Sequence, residues 1–251
     1  MNYLGMVAIL KDEPGVYLDE WLRWHRHIGI ERFILFDNGS AVPLRSCKDV
    51  EVFDWPGASM QMEAYNLALL RGCGRFEWLA FLDLDEFIVP WAPRKLSDML
   101  DLASWNKAAA VALHWQVFGS NGQQDFDGRG QIERFTRRAE RGYATNQHIK
   151  SIVRPHLVTR FDNPHFCPPD KGLKCLDEMG LPVPGALSAV SAHGAWINHY
   201  HFRSKAEYAR KLLTPRADTG QLRVDDGQEP LCNAIEDTRL LDLWNELEPR
   251  G

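Results

Sequence analysis

Short apolar runs alternate with amphipathic stretches through the first third of the chain. Residues 3–10, 32–36, 50–55 and 78–82 are apolar runs of strand length. Residues 16–28 and 60–70 carry apolar side chains at three- and four-residue steps, the spacing of one helix face. Strands that alternate with helices favour a parallel sheet covered by helices, because parallel strands need crossover connections. We therefore predict an α/β fold with a mostly parallel, doubly wound central sheet.

The pattern is less regular beyond residue 90. Apolar runs at 108–114, 149–153 and 195–202 predict further strands, and residues 96–102, 205–213 and 238–247 predict helices. Gly-, Asn- and Asp-rich loops and a Pro-rich connection separate them. Internal repeats and interdomain linkers are absent from the sequence. We predict one domain over residues 1–251, with a regular half at 1–90 and an irregular half with the C-terminal helices at 91–251.

Composition restricts the partners and the compartment. A formal net charge of -5 implies no general attraction to nucleic acid or to an anionic membrane. The five cysteines contain no C-x-x-C pair, which favours reduced thiols and the cytoplasm. No apolar run approaches the ~20 residues of a membrane-spanning helix, and the amino terminus lacks a signal-peptide pattern. We expect a cytoplasmic protein without a transmembrane segment, compatible with peripheral membrane contact.

Polar residues follow three of the predicted strands. They are Lys11, Asp12 and Glu13 after the first strand, Asp37, Asn38 and Ser40 after the second, and Asp83 and Asp85 after the fourth. In parallel α/β sheets, ligands bind beyond the carboxyl ends of the strands. These residues are therefore expected to converge on one rim of the sheet.

Asp83 and Asp85 form a candidate cation site. In extended geometry, side chains two residues apart leave the same face, with Cα atoms ~6.5 Å apart. Carboxylates suit Mg²⁺ or Mn²⁺, and such a cation can stabilise a departing diphosphate. A solvated acidic turn is the alternative. The five-residue apolar strand that leads directly into the acids favours the cation site.

Later segments offer further ligands. His199 and His201 share one face of an extended strand, so either imidazole can reach the same cation; the alternative is a pair of hydrogen-bonded strand histidines. Lys150 stands in a segment expected to return to the sheet edge, where a cation can bind a diphosphate. Arg154 fits a solvated surface charge better.

An ordered set of motifs resembles the family 2 and family 92 group of glycosyltransferases with a GT-A fold. The motifs, which cover roughly residues 3–90, are Lys11-Asp12-Glu13, Glu20-Trp21 with His25 before Gly29, Phe36-Asp37-Asn38-Gly39-Ser40, Ala64-Tyr65-Asn66, and the run from Trp78 through Asp83-Leu84-Asp85-Glu86 to Phe87. Weaker similarities follow at residues 115–120, 150–155 and 199–201. The ordered set is far more specific than one D-x-D motif.

The resemblance implies transfer of a sugar from a nucleoside diphosphate donor, a UDP-sugar, to a glycan or lipid-linked acceptor, with inversion, as in polysaccharide biosynthesis. Residues 1–90 would bind the nucleotide and 91–251 the acceptor. The loops 11–13 and 37–40 would hold the base and ribose. Asp83 would lie near the ribose and the Mn²⁺ or Mg²⁺, Asp85 would be the principal metal ligand, and His199 or His201 would complete the metal shell. Asp12 and Val42 depart from the family pattern, which leaves the donor base open.

Two alternative functions stay open, as do the residues that form the acceptor-sugar platform and the residue that acts as general base. The rivals are a sugar-phosphate nucleotidyltransferase, although a G-x-x-x-x-G-K phosphate loop is absent from the sequence, and a non-catalytic nucleotide-sugar-binding module. Trp115 and Phe118 suit an acceptor-sugar platform, although core packing explains such residues more often. Asp125, Asp127 and Glu178 are loop candidates for a general base, with nothing to discriminate among them.

Overall fold

The computed structural model describes residues 1–90, 95–105 and 107–247. The strands are β1 (Asn2–Leu10), β2 (Arg32–Asp37), β3 (Val50–Asp54), β4 (Phe76–Phe81), β5 (Glu86–Pro90), β6 (Ala108–Val117), β7 (Arg137–Arg138), β8 (Ile149–Val153), β9 (Lys174–Asp177), β10 (Ala195–His199) and β11 (Ile235–Glu236). The helices are α1 (Gly15–His27), α2 (Gln61–Gly72), α3 (Leu96–Trp105), α4 (Gln131–Arg134), α5 (Lys205–Leu212) and α6 (Arg239–Leu247). The predicted division into halves at 1–90 and 91–251 includes positions 91–94, 106 and 248–251, which lie outside the described residues.

A nine-stranded sheet runs through the molecule in the order β3-β2-β1-β4-β8-β6-β10-β5, with β9 beside β6. The first four strands are parallel, as predicted. Beyond β4 the sheet is mixed, because β8 is antiparallel to both β4 and β6 and β5 is antiparallel to β10. The α/β class is therefore confirmed, whereas the parallel arrangement holds in full only for β1 to β4.

Apolar side chains from both faces of the sheet meet helices. On β1, Leu4, Met6 and Ala8 belong to the cluster that packs against α1, α3 and α6. Val7 and Ile9 alternate with them and belong to the cluster that packs against α2. Alternate residues of a strand point to opposite faces. The sheet is thus covered on both sides, as the continuous apolar runs predict.

Strand β5 differs most from the sequence-based expectation. The sequence predicts a strand ending near residue 82 followed by an acidic segment, yet Glu86–Pro90 forms a fully buried strand paired with β10. Its partner residues are Ala195–His199, more than one hundred positions later in the chain. A strand of five residues whose partner among the described residues is so distant is hard to recognise from local pattern. β9, β7 and β11 were missed for the same reason.

Two structural observations concern membrane crossing and the state of the cysteines. In the described part of the chain, no helix combines the length and apolar composition needed to cross a lipid bilayer. All five cysteines are free thiols, and Cys47 and Cys73 are exposed. The thiols agree with the expectation of reduced cysteines.

Helix α1 is anchored to β5 by three aromatic side chains. Trp21 Nε1 donates to the Glu86 carbonyl at 2.9 Å, and Trp24 Nε1 donates to the Ile88 carbonyl at 2.7 Å. His25 Nδ1 lies 2.9 Å from the Trp21 carbonyl, and the Ile88 amide donates to His25 Nε2 at 3.3 Å. This pattern requires a neutral imidazole that carries its proton on Nδ1. The Trp21 and His25 motif is therefore structural.

The buried imidazole predicts a specific acid sensitivity. Burial lowers the pKa of His25 to about 3, against ~6.5 in an unfolded chain. The unfolded state takes up the proton first, so the stabilising contribution is complete above pH ~6.5 and is lost as the pH falls toward 3. When the pH falls from 7 to 5, the free energy of unfolding of the wild type should decrease, and His25 should account for about 2 kcal/mol of that decrease. His25→Gln should lack this part of the decrease. Urea denaturation at both pH values measures it.

The exposed His27 on the same helix provides the matched control. His27→Gln should leave the pH dependence of the unfolding free energy unchanged. An equal loss of stability between pH 7 and 5 in the wild type and in His25→Gln would contradict a neutral, buried His25.

Candidate functional site

The loops that follow β1 and β2 bind each other at one rim of the sheet. The Asn38 amide donates to the Leu10 carbonyl at 2.8 Å. The Asp12 amide donates to Ser40 Oγ at 3.0 Å, and the Ala41 amide donates to Asp12 Oδ1 at 2.7 Å. The carboxyl ends of neighbouring parallel strands thus meet as expected.

Asp37 and Asn38 shape this rim through bonds to the backbone. Asp37 accepts hydrogen bonds from the amides of Ser40 and Leu44, each at 2.9 Å. Burial opposes its ionisation, but these amides outweigh burial and lower the pKa of Asp37. Asn38 donates to two carbonyls of the segment after β3, at 2.8 and 3.0 Å. Contact of either side chain with a nucleoside stays a prediction.

Lys11 and Glu13 occupy different environments on the same loop. The Lys11 side chain is exposed at the rim. Glu13 accepts from an Arg203 guanidinium nitrogen at 2.7 Å. Arg203 also donates from Nε to Gln131 at 3.0 Å and lies 4.6 Å from the centre of the Tyr17 ring. Arg203 therefore ties the loop after β1 to the segment after β10.

Asp83 and Asp85 lie in the turn that joins β4 to β5. The Glu86 amide donates to the Asp83 carbonyl at 3.1 Å and closes this turn. The extended geometry expected for residues 83–85 is therefore wrong, because the chain changes direction directly after β4. As a result the two carboxylates meet different partners.

Asp83 faces α2 and β8. Its Oδ2 accepts from Lys150 Nζ at 2.9 Å, and its Oδ1 accepts from Gln61 Nε2 at 3.0 Å and the Tyr65 hydroxyl at 3.3 Å. Gln61 and Tyr65 stand one turn apart on α2, so they reach the same carboxylate. Glu86 Oε2 lies 3.5 Å from Lys150 Nζ and accepts the Asp83 amide at 3.0 Å.

Lys150 is an ammonium buried between two acids. Burial opposes its charge, but Asp83 and Glu86 outweigh burial and raise the pKa of Lys150 well above its ordinary value. Burial raises the pKa of Glu86, an effect that Lys150 opposes. Glu86 Oε1 has no hydrogen-bond partner within the described residues. The charge of Lys150 is therefore the main compensation for two acids at this point.

Asp85 is buried and faces α5 and β10. Its Oδ2 accepts from Lys211 Nζ at 2.6 Å and lies 3.7 Å from His199 Nε2. Lys211 also donates to the His201 carbonyl at 2.9 Å. Burial opposes the charge of Asp85, but Lys211 and His199 outweigh burial and hold its pKa well below the ordinary value. Asp85 is thus an ionised carboxylate paired with a lysine.

His199 and His201 are not equivalent. His199 adjoins Asp85, and its buried Nδ1 has no hydrogen-bond partner within the described residues. The His201 ring lies 5.1 Å from that of His199, centre to centre, and packs against Phe202 and Tyr208. Over residues 1–90, 95–105 and 107–247, no three His, Cys, Asp or Glu side chains gather where they could hold a metal ion.

Trp115 lies within a group of histidines beside Asp85. Its ring centre is 4.2 Å from that of His199, 4.9 Å from that of His148 and 5.1 Å from that of His165. Trp115 is 7% exposed, and Phe118 is fully buried. Both belong to one buried apolar cluster, so core packing accounts for both, and Trp115 also contacts His199 beside Asp85.

Two of the three loop acids, and Arg154, have partners elsewhere. Asp127 binds Arg129, and Glu178 binds Ser191 and the His193 amide. Arg154 pairs with Glu77 near the start of β4, at the opposite edge of the sheet from Lys150.

Several side chains of the site were missed from the sequence. They are Gln61, Glu86, Arg203 and Lys211, with His148 and His165 beside them. Glu86 and Tyr65 belong to two of the motifs that carry the family resemblance, so the resemblance gave some indication of their place in the site. Nothing local distinguishes Lys211 from other helical lysines.

Comparison with known proteins defines the class. A family model, Glycosyltransferase family 92, matches residues 7–172, which include the rim loops, the acidic turn and Lys150. The α/β fold and the acidic rim agree with that class of protein, the glycosyltransferases. The model covers more than half of the chain, and the chain belongs to glycosyltransferase family 92.

Plant proteins are among its relatives. A glycosyltransferase family 92 protein of Ricinus communis is 28% identical over 266 residues, which is 97% of this chain and 47% of that protein. One of Arabidopsis thaliana is 24% identical over 79% of this chain and 36% of its own length. One of Oryza sativa subsp. japonica is 28% identical over 57% of this chain and 25% of its own length. The chain therefore spans about half, or less, of the curated relatives it matches.

Proposed function

We propose that the chain is a metal-dependent, GT-A-type hexosyltransferase that moves a sugar from a UDP-sugar to a hydroxyl of a glycan or lipid-linked acceptor, with inversion. The observation that carries the proposal is the turn with Asp83 and Asp85 at the carboxyl edge of the parallel strands, flanked by the buried ammonium group of Lys150 and the partly buried ammonium group of Lys211. Family membership supports sugar transfer as the reaction. Cytoplasmic location and the division into donor and acceptor halves belong to the same proposal.

Asp85 and His199 have the chemistry to hold a divalent cation. Their nearest ligand atoms are 3.7 Å apart, a separation that one ion with ligands at ~2.1 Å can bridge. Mg²⁺ is usually bound by one or two carboxylates together with substrate phosphates, so a cluster of three protein ligands is not required. Bound there, Mn²⁺ or Mg²⁺ would neutralise the charge of the leaving diphosphate. Asp83 would approach the ion or the ribose. His201 is the second histidine of the site, with its ring centre 5.1 Å from that of His199.

The remaining residues of the site would bind and orient the donor. Asp37 and Asn38 hold the loop that would face the nucleoside. Lys150 orients Asp83 through their hydrogen bond, and its ammonium would attract the diphosphate. Lys11 is exposed at the same rim and would approach the donor, while Glu13 positions Arg203.

A thermal-shift panel tests the proposed function. UDP and UDP-sugars near one hundred times their Kd, with Mn²⁺, should raise the Tm by about 5–10 °C, and Mn²⁺ or UDP alone should raise it less. Released UDP in the same samples would indicate slow donor hydrolysis. Pyrophosphate released from NTP and a sugar phosphate would instead identify a nucleotidyltransferase, and binding without turnover a non-catalytic module.

Lys211 should compete with the divalent cation for Asp85. The ammonium occupies Oδ2 at 2.6 Å, so a cation must displace it. Lys211→Met should raise Mn²⁺ affinity in the absence of nucleotide by about tenfold, because the competing charge is removed. Electron paramagnetic resonance of free Mn²⁺ measures this directly. Lys205→Met on the same helix makes the same change in net charge and should have little effect; equal Mn²⁺ affinity in both variants would remove Asp85 from the metal site.

A further inference from the structure

A second concave site lies beside the acidic turn, between α5 and the segment before β11. It is a cavity of about 370 Å³, within the size range of small-ligand sites. The lining residues are Ser120, Phe202, Arg203, Ser204, Lys205, Tyr208, Ala209, Leu212, Asp225, Gly227, Glu229 and Pro230. None of them has a role in the donor site proposed above except Arg203.

The cavity walls are mostly apolar. Side chains of Phe202, Tyr208, Leu212 and Pro230 supply apolar surface. Among the charged residues, Glu229 already accepts from the Ser120 hydroxyl at 2.6 Å and from the Ser120 amide at 2.9 Å. Arg203 is bound to Glu13, and Asp225 accepts from the Gly227 amide. Lys205, the first residue of α5, is exposed. Apolar side chains supply most of the remaining wall, so the space suits an apolar group better than a charged one.

Exposed apolar side chains continue from the lining. Leu213 is 77% exposed and follows Leu212, Val224 is 87% exposed and precedes Asp225, and Leu231 is 54% exposed and follows Pro230. Arg223 donates to the Thr214 carbonyl at 3.1 Å and holds the segment around Val224 near the end of α5. Single exposed apolar residues are ordinary, but here three are chain neighbours of residues that line one apolar cavity.

The cavity and the acidic turn share two structural elements. Helix α5 presents Lys211 to Asp85, and its neighbouring positions Tyr208, Ala209 and Leu212 line the cavity. Strand β10 ends with His199 beside Asp85, and three residues later Phe202 lies in the cavity wall. A helix with its side chains is only ~10–12 Å wide, so a ligand in the cavity lies within about one helix width of the acidic turn.

We propose that this cavity is an acceptor subsite that binds an apolar group attached to the acceptor sugar, such as an alkyl, aryl or lipid chain. The proposal rests on the proposed function and narrows it to an amphiphilic acceptor. The sugar would face Asp85 and the donor, while the apolar group would fill the cavity and leave it over Leu213 and Leu231. A different cavity, of about 340 Å³, lies among the first residues of β1 to β4, at the edge of the sheet away from Asp85.

Two matched glycosides test the subsite. Calorimetry would compare n-octyl β-D-glucoside, below its micelle concentration, with methyl β-D-glucoside. The octyl compound should bind at least tenfold more tightly, because each buried methylene is worth a several-fold gain in affinity. Ala209→Trp, which fills the cavity from an exposed helix position, and Leu212→Gln, which makes its wall polar, should each weaken octyl glucoside binding at least tenfold.

The control is Leu70→Trp, an exposed position on α2 outside the cavity, which should leave octyl glucoside affinity unchanged. Circular dichroism would confirm that each variant is folded. Equal binding of the two glycosides, or octyl glucoside binding that survives both cavity variants, would overturn the subsite. UDP affinity, measured with Mn²⁺ on the same wild-type protein, separates this outcome from a failure of the donor site: bound UDP with no octyl preference rejects the subsite alone.

Discussion

Asp85→Asn is expected to lower donor turnover by about a hundredfold or more and to abolish the Mn²⁺ dependence of UDP binding. The substitution preserves the size of the side chain but removes the charge that would hold a divalent cation. In the wild-type protein Lys211 Nζ lies 2.6 Å from Asp85 Oδ2, so the substitution also leaves Lys211 without its carboxylate partner. Loss of one preorganised charge-stabilising group typically costs a factor of ~10²–10³ in rate. UDP release and calorimetry measure the two effects.

Asp19→Asn is the control, since Asp19 is an exposed acid on α1 and the change in charge is the same. It should retain both turnover and Mn²⁺-dependent binding. Wild-type UDP affinity and turnover in Asp85→Asn would show that the cation binds elsewhere or that the reaction does not use one.

Lys150→Met should destabilise the fold by about 3–5 kcal/mol, because removing one partner leaves the buried acid Glu86 without compensation. Lys150 lies 2.9 Å from Asp83 and 3.5 Å from Glu86, and Glu86 is fully buried. Without the ammonium, the pKa of Glu86 rises further above its unfolded value. A group whose pKa is raised by folding stabilises the folded state at low pH, and this stabilisation is lost as the pH rises. Relative to the wild type, the variant should therefore be destabilised more at pH 8 than at pH 6.

A second substitution identifies the cause. Glu86→Gln added to Lys150→Met removes the uncompensated charge and should restore a large part of the lost stability, measured by urea denaturation at pH 8. Lys171→Met, at an exposed position, should change stability by under ~0.5 kcal/mol. A double variant no more stable than Lys150→Met would show that the loss comes from packing and not from the buried acid.

The amino-terminal elements follow closely from local pattern. The predicted strand at 32–36 is Arg32–Asp37, and the predicted helix at 16–28 is Gly15–His27. Both predictions depend on apolar periodicity, which reports directly which face of an element is buried. The convergence of the loops after β1 and β2 follows from the same pattern, because neighbouring parallel strands end at one edge.

The partners of the two acids do not follow from local pattern. Lys150 stands 67 positions from Asp83, and Lys211 stands 126 positions from Asp85. Lys150 was expected near the site because its segment was expected to return to the sheet edge. Lys211 was not, because a lysine on a short helix has the same local sequence properties whether it faces water or a carboxylate.

The amino-acid sequence by itself determined the α/β class, the parallel strands β1 to β4 and the position of Asp83 and Asp85 at their carboxyl edge. These features depend on apolar periodicity and on turn chemistry, which act over a few residues. Only the tertiary structure decided that β5 pairs with β10, that the turn directs Asp83 and Asp85 to different lysines, and that α5 separates Asp85 from an apolar cavity. Those arrangements depend on contacts between distant segments, whose energies are realised only when the whole chain packs.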